Sequence, residues 1–160
     1  MIYQAIDICP DHIPFVDYIF RQNNEALHGG QVSIAEWYTC LCLEVDPDER
    51  NFIITVNGEY AAWMKLNGLN TPGGIYIAML VVAKEHQQNG VGRFAVRFAE
   101  DFARAGNKDT VWIQTTQDNL AAVDFYLKQG YRIDKHIRYA VGDGVFRDEY
   151  RFKKQWKVSR

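Results

Sequence analysis

The hydrophobic pattern of this chain predicts an α/β domain built on a mixed β-sheet. Two observations carry that reading. A nearly continuous apolar run, Ile75-Tyr76-Ile77-Ala78-Met79-Leu80-Val81-Val82, suits an interior strand covered on both faces. Segments with a period of two also alternate with segments of helical spacing, in the order strand, two helices, three strands, helix, strand, helix, two strands. At 160 residues the chain fits one core and not two. No repeat, low-complexity tract or linker interrupts it, so one domain over 1–160 is expected.

Met1 to Ile8 sets Ile2, Ile6 and Ile8 at even spacing, as a first strand would. Asp11 is placed to cap a helix running through Phe15, Ile19 and Ala26 and stopped by Gly29-Gly30. Ser33-Ile34-Ala35-Glu36 reads as a capping box, followed by Trp37 and Leu41 on an apolar face and by Pro47 past the end. Phe52 to Val56, Asn57-Gly58 and Tyr60 to Leu66 form a hairpin signal, because Asn and Gly tolerate the positive φ of a tight reversal. After the loop at 70–74 comes the Ile75 strand. Val91, Phe94, Phe98 and Phe102 then keep helical spacing up to Gly106, with Glu100 and Arg104 read as a pair on the wet face. Val111 to Thr116 predicts another interior strand, and Asn119 caps a helix to Lys128 that Gly130 ends. Two last strands, Arg132 to Val141 and Val145 to Phe152, flank Gly142-Asp143-Gly144.

Composition narrows the function. Hydrophobic residues make up 48%, and 18 Lys and Arg oppose 20 Asp and Glu, a net charge of -2. That balance provides no basic footprint for nucleic acid or an anionic membrane surface. No apolar run approaches the roughly 20 residues of a membrane span, and the start shows no export signal, so a cytoplasmic protein is expected. Cys9, Cys40 and Cys42 are odd in number and read as packed thiols. His12, His28, His86 and His136 are scattered, so no metal site is expected.

The chemistry concentrates at Gln87-Gln88-Asn89-Gly90-Val91-Gly92, between the interior strand and the Phe94 helix. Glycines at such a turn let backbone N–H groups approach an anion, the helix start adds partial positive charge, and Arg93 adds a full one. A diphosphate suits that turn; an ordinary strand-to-helix turn explains the same glycines. A phosphate-binding NTPase loop would need Gly-Lys-Ser/Thr, and a dinucleotide loop needs a third spaced glycine. Neither is present.

A second segment, Asn119-Leu120-Ala121-Ala122-Val123-Asp124-Phe125-Tyr126-Leu127-Lys128-Gln129-Gly130-Tyr131, follows the Val111 strand. Together the two resemble the GNAT superfamily of acyl-CoA-dependent N-acyltransferases. Gln87, Gly90 and Gly92 match its Gln/Arg-x-x-Gly-x-Gly/Ala motif. Asn119, Ala122, Phe125, Tyr126, Gly130 and Tyr131 match its Asn-x-x-Ala-x-x-Phe-Tyr-x-x-x-Gly-Phe/Tyr segment. The resemblance implies a mostly antiparallel seven-stranded sheet with splayed central strands and about four helices. It implies acetyl-CoA as acyl donor, no metal, a primary-amine acceptor and a homodimer. The donor's pantetheine arm would lie along the backbone of Leu80, Val81 and Val82, its diphosphate on the amides of Gln87, Gln88, Asn89, Gly90, Val91, Gly92 and Arg93. Asn119 and Ala122 would flank the arm, and Tyr126 matches the acid that protonates the departing thiolate.

The base is not assigned. The acidic residue that many relatives carry on the central strand is missing from Ile75 to Val82. Glu36, Tyr76 and His86 are candidates with structural readings of their own, and Glu85 reads as part of a solvated loop. Trp37, Tyr38, Trp63 and Tyr76 are expected either to shape an acceptor pocket or to fill the core. Lys153 to Lys157 reads as a frayed basic tail. A non-catalytic acyl-CoA-binding or partner-binding module on the same scaffold is the alternative function, and an unrelated ATP-binding α/β enzyme a third.

Overall fold

A computed structural model of the chain describes residues 1–27 and 30–158. His28 and Gly29, read above as a scattered histidine and a helix stop, lie outside the described residues. Seven strands form one sheet: β1 (Tyr3–Asp7), β2 (Arg50–Val56), β3 (Glu59–Asn67), β4 (Gly74–Val82), β5 (Thr110–Thr116), β6 (Arg132–Gly142) and β7 (Val145–Gln155). Their spatial order is β1-β2-β3-β4-β5-β7-β6. Every neighbouring pair is antiparallel except β4 with β5. The β2–β3 reversal sits at Asn57 and Gly58, with φ of 51° and 85°. Two positive φ angles in a row give the turn whose twist matches the strands it joins.

Helices cover both faces. α1 (Ile13–Gln22), α2 (Asn24–Leu27) and α3 (Ile34–Tyr38) lie on one side, with α3 continuing into a wider π turn at Thr39–Leu43. Ile13, Val16, Ile19, Trp37 and Leu41 pack there on Ile53, Trp63 and Val81. α4 (Val91–Ala105) and α5 (Leu120–Lys128) cover the other side, over Ile54, Met64, Leu66, Ile75, Val111 and Phe152. Burying side chains of this size contributes about 1.5–3 kcal/mol each. Among the described residues no helix is long and apolar enough to cross a membrane.

Several expectations need correction. Asp11 does not cap the first helix: it lies inside a 3-10 turn, Pro10–His12, that starts from Cys9 and leads into α1. α1 and α2 are separate, because the Asn23 side chain donates to the carbonyls of Ile19 (2.8 Å) and Val82 (3.3 Å) where the helix would continue. The capping box is formed, with Ser33 N donating to Glu36 and Glu36 N donating to the Ser33 hydroxyl.

The buried face of α4 is also rotated from the phenylalanines. Val91, Ala95, Val96, Ala99 and Ala103 are its buried apolar stripe, since alanines let a helix lie close to a sheet. Phe94, Phe98 and Phe102 flank them, Phe98 meeting Phe52 edge-on at 4.9 Å. Glu100 therefore is not on a wet face paired with Arg104. It is 5% exposed and holds Lys154 at 2.9 Å, while Tyr131 donates to it at 3.2 Å. Arg104 contacts Asp101 and lies over Trp156. By the same token, Lys153, Lys154 and Gln155 are not a frayed tail but the end of β7.

Candidate active site

β4 and β5 pair in register only from Gly74 with Thr110 to Ile77 with Ile113. Beyond that point both strands continue, to Val82 and Thr116, without pairing. The cause lies on the other edge of β4. Against β3, Leu66 pairs with Ile77 but Lys65 pairs with Met79, so Ala78 is an extra residue. An extra residue bends a strand and increases its local twist, and here it does so where β4 leaves β5.

The parted strands leave a cleft of about 260 Å³, lined by Ala78, Met79 and Leu80, by Gln114 to Thr116, and by Asn119, Ala122 and Tyr126 of α5. Thr116 and Asn119 also line an adjoining cavity of about 530 Å³ that reaches Lys84, just past the end of β4. Ala83 N donates to Ala61 O at 2.8 Å. Antiparallel pairs alternate between bonded and non-bonded, so Val81 turns its backbone groups to β3, while Leu80 and Val82 turn theirs to the cleft. The Val82 carbonyl accepts from Gln87 (3.1 Å) and Asn23 (3.3 Å). Of the three backbone positions singled out on this strand, Leu80 and the Val82 N–H face the opening.

The turn before α4 holds Gln88 and Gly90 at φ of 65° and 80°. Gly90 starts the helix without a side-chain cap, and its first turn carries no acidic residue. The N–H groups of Val91, Gly92 and Arg93 thus have no intrahelical acceptor. Both glycines are close-packed. A Cβ on Gly90 would lie 2.9 Å from the Tyr3 hydroxyl, and one on Gly92 would lie 3.2 Å from the Phe125 ring. Gly92 is thereby also a point of close approach between α4 and α5. Asn89 is exposed, and its carbonyl accepts from the Tyr3 hydroxyl.

On α5, Asn119 caps the helix by accepting from Ala122 N at 3.2 Å, and both residues line the cleft. Tyr126 is 6% exposed and packs against Phe125 and Phe152. Burial pushes its phenol far above the ordinary value near 10, so the group stays protonated through neutral pH.

The base candidates do not enter the cleft. Glu36 is occupied by its capping box. Tyr76 stacks on Trp112 at 4.9 Å and receives a bond from Arg151. His86 faces Glu59 at 3.8 Å. Glu85 is exposed but does not belong to a merely solvated loop: it accepts from Tyr18 (2.5 Å) and Gln22 (2.7 Å), tying α1 to the turn after β4. Tyr18 and Gln22 hold its carboxyl below the usual range. Trp37 and Trp63 are core residues in edge contact at 5.4 Å, and Tyr38 lines a different hollow beside Cys9 and Cys42. Cys9 and Cys42 are half-buried thiols, whereas Cys40 is exposed, not packed. Among the described residues no group of His, Cys, Asp or Glu is arranged to hold a metal.

Several cleft residues have no site signal in the sequence, Gln114, Arg147 and Glu149 among them. Gln114 donates to the Tyr139 hydroxyl at 2.8 Å, and Arg147 and Glu149 reach the same cleft from β7. Arg147 and Glu149 belong to a charged run, Arg147-Asp148-Glu149, that does not distinguish a cleft wall from a solvated face.

A family model described as the acetyltransferase (GNAT) family matches residues 13–131. An uncharacterized N-acetyltransferase in the pepI 3' region of Lactobacillus delbrueckii subsp. lactis is 29% identical over 99 residues, 58% of this chain and 57% of that protein. Streptothricin acetyltransferase of Streptomyces lavendulae is 29% identical over 87 residues, 54% of this chain and 46% of that one. The chain thus spans about half the length of these relatives. Spermidine N-acetyltransferase from Vibrio cholerae, solved in complex with CoA and spermine, superimposes with a TM-score of 0.81 at 18% identity, covering 96% of this chain and 95% of that chain. Ribosomal-protein-S18-alanine N-acetyltransferase from Escherichia coli does so with a TM-score of 0.73 at 18% identity, covering 99% and 96%. At such identities the likeness is one of fold, and the seven-stranded sheet with parted centre agrees with it.

Proposed function

Because this chain belongs to the acetyltransferase (GNAT) family, we propose that it is an N-acetyltransferase that moves an acetyl group from acetyl-CoA to a primary amine within one ternary complex. The observation that carries this reading is the opening between β4 and β5 beyond Ile77 and Ile113, with unpaired backbone on one side and Tyr126 and Asn119 on the other. The residues present fit a CoA thioester. A slender pantetheine arm can add to the Leu80–Val82 edge as an extra strand does, and the uncapped start of α4 with Arg93 suits a diphosphate. Asn119 and Ala122 would flank that arm.

Coenzyme A supplies the acetyl group already activated as a thioester. The protein's own part is positioning and proton management. A lysine-like amine has a pKa of about 10.4, so only about one molecule in a few thousand is neutral at pH 7; loss of water around the amine where it meets the thioester favours that neutral form. Holding amine and thioester together removes much of the entropic barrier. The Leu80 N–H faces the cleft and suits the charge that builds on the carbonyl oxygen. As the carbon–nitrogen bond forms and the carbon–sulfur bond breaks, the electron pair leaves on sulfur, and the Tyr126 phenol supplies its proton. The amine gives up one proton, through water, in place of a carboxylate on β4. A soluble protein acting without metal or nucleic acid, in the cytoplasm and as a homodimer, completes the proposal.

Calorimetry with acetyl-CoA followed by a thiol-release assay over an amine panel tests it. Binding with turnover is the expected result. Binding without turnover on any amine would favour the acyl-CoA-binding module, and no binding at all would remove the reading.

A further inference from the structure

The chemistry of the acceptor can be read from the far wall of the cleft. β4, β5 and α5 contribute no charged side chain to it; among the described residues its charges are Arg147 and Glu149, both on β7. The β5–β7 pairing has no register shift, with Glu149 opposite Thr116. Alternation therefore puts Arg147 and Glu149 on the sheet face of Arg151, which carries Tyr76 and Trp112, opposite the face where Phe152 meets α5. Tyr126 reaches the cleft from one face, and these two residues from the other.

Their neighbours are already matched. Arg151 is bidentate with Asp134 at 2.9 and 2.6 Å, Arg138 is paired with Asp148 at 3.7 Å, and Gln114 bonds Tyr139. The side chains of Arg147 and Glu149, both residues half-buried, make no hydrogen bond or ion pair with each other or with any other described residue. Half-buried charges without partners at the mouth of a cleft are suited to a ligand that carries the complementary charges.

We propose that Glu149 and Arg147 form the acceptor subsite, and that the acceptor is a small amine bearing its own anionic group, as an amino acid does. Glu149 attracts the amine end, and Arg147 forks onto the carboxylate, a pairing that guanidinium geometry favours. Residues two apart on a strand lie about 7 Å from one another, so the long arginine and the shorter glutamate converge on a compact zwitterion. A polyamine is disfavoured here, since one carboxylate faces it and a guanidinium repels it. This inference rests on the transferase reading.

The experiment uses the full chain with saturating acetyl-CoA and follows thiol release with free amino acids, with the corresponding amino-acid amides, and with spermidine. The amide keeps the amine and removes the anion. The best amino acid should have a KM about tenfold or more below that of its amide. Arg147→Gln should erase that ratio, and Glu149→Gln should raise KM for both compounds, each variant binding acetyl-CoA as the wild type does. A wild-type preference for spermidine or for the amide overturns the inference and leaves the transferase reading intact. So does an amino-acid-to-amide ratio unchanged in Arg147→Gln. Failure of the wild type to bind acetyl-CoA overturns both.

Discussion

Ile77 of β4 and Ile113 of β5 are the last residues at which these two parallel strands lie in register, and the bulge residue Ala78 follows at once. The strand is thus bent by one surplus residue on its β3 side while its β5 side is released. Ala78 is exposed into the resulting cleft, which makes it the place to close that cleft without disturbing the core. Ala78→Trp should abolish acetyl-CoA binding in calorimetry while the melting temperature stays within a few degrees of wild type. Normal binding by that variant would put the donor elsewhere.

Tyr126 tests the proton transfer. Tyr126→Phe should lower kcat by about 100-fold and leave the affinity for acetyl-CoA within about twofold. Burial raises the phenol's pKa, so its protonated form persists as pH increases through the physiological range. The wild-type kcat profile should accordingly show no descending limb from this group between pH 6 and 9, checked by steady-state rates at saturating substrates. An unchanged kcat would return Tyr126 to a packing role beside Phe152.

The Glu100–Lys154 pair tests the α4 face. Lys154→Met leaves a carboxylate 5% exposed with, among the described residues, the Tyr131 hydroxyl as its remaining side-chain partner, and should destabilise the fold by about 2 kcal/mol in urea unfolding. Combining it with Glu100→Leu should recover much of that loss, because an apolar pair needs no counter-charge. A single variant as stable as wild type would mean that water, and not Lys154, solvates Glu100.

Asp134 supplies a pH test. Hydrogen bonds from Arg151 lower its carboxyl below 3.8. A depressed folded-state pKa contributes stability that is complete above the unfolded value, about 3.9, and is lost as pH falls through the folded one. Asp134→Asn should lower the melting temperature by about 2–4 °C at pH 7, and the gap should close as pH drops below about 4. A gap that persists undiminished in acid, while both proteins still fold, would assign the effect to packing.

Local signals were legible wherever the cause is itself local. Asn57-Gly58 turns the hairpin through two positive φ angles, Ser33 and Glu36 cap α3 three residues apart, and Asn119 caps α5 in the same way. The glycine turn at 87–92 and the Asn119–Tyr131 segment could be recognised because each is contiguous. What failed depended on distant partners. The break after Gln22 needs Asn23 to reach Val82, and Glu100 is dry because Lys154 and Tyr131 come to it. Arg147 and Glu149 sit in the charged run Arg147-Asp148-Glu149, which looks the same on an exposed strand face and on a cleft wall.

From the residues alone followed the element order, the hairpin, the caps and the two motifs that place this chain in its family, all consequences of backbone preference and short-range periodicity. The gap between β4 and β5 was decided in three dimensions, since a bulge is a property of two strands in register and Ala78 is surplus only against Lys65 and Leu66. The charges that face that gap were decided there too. Only the stacking of β7 beside β5 brings Glu149 opposite Thr116, and no stretch of sequence encodes that neighbourhood.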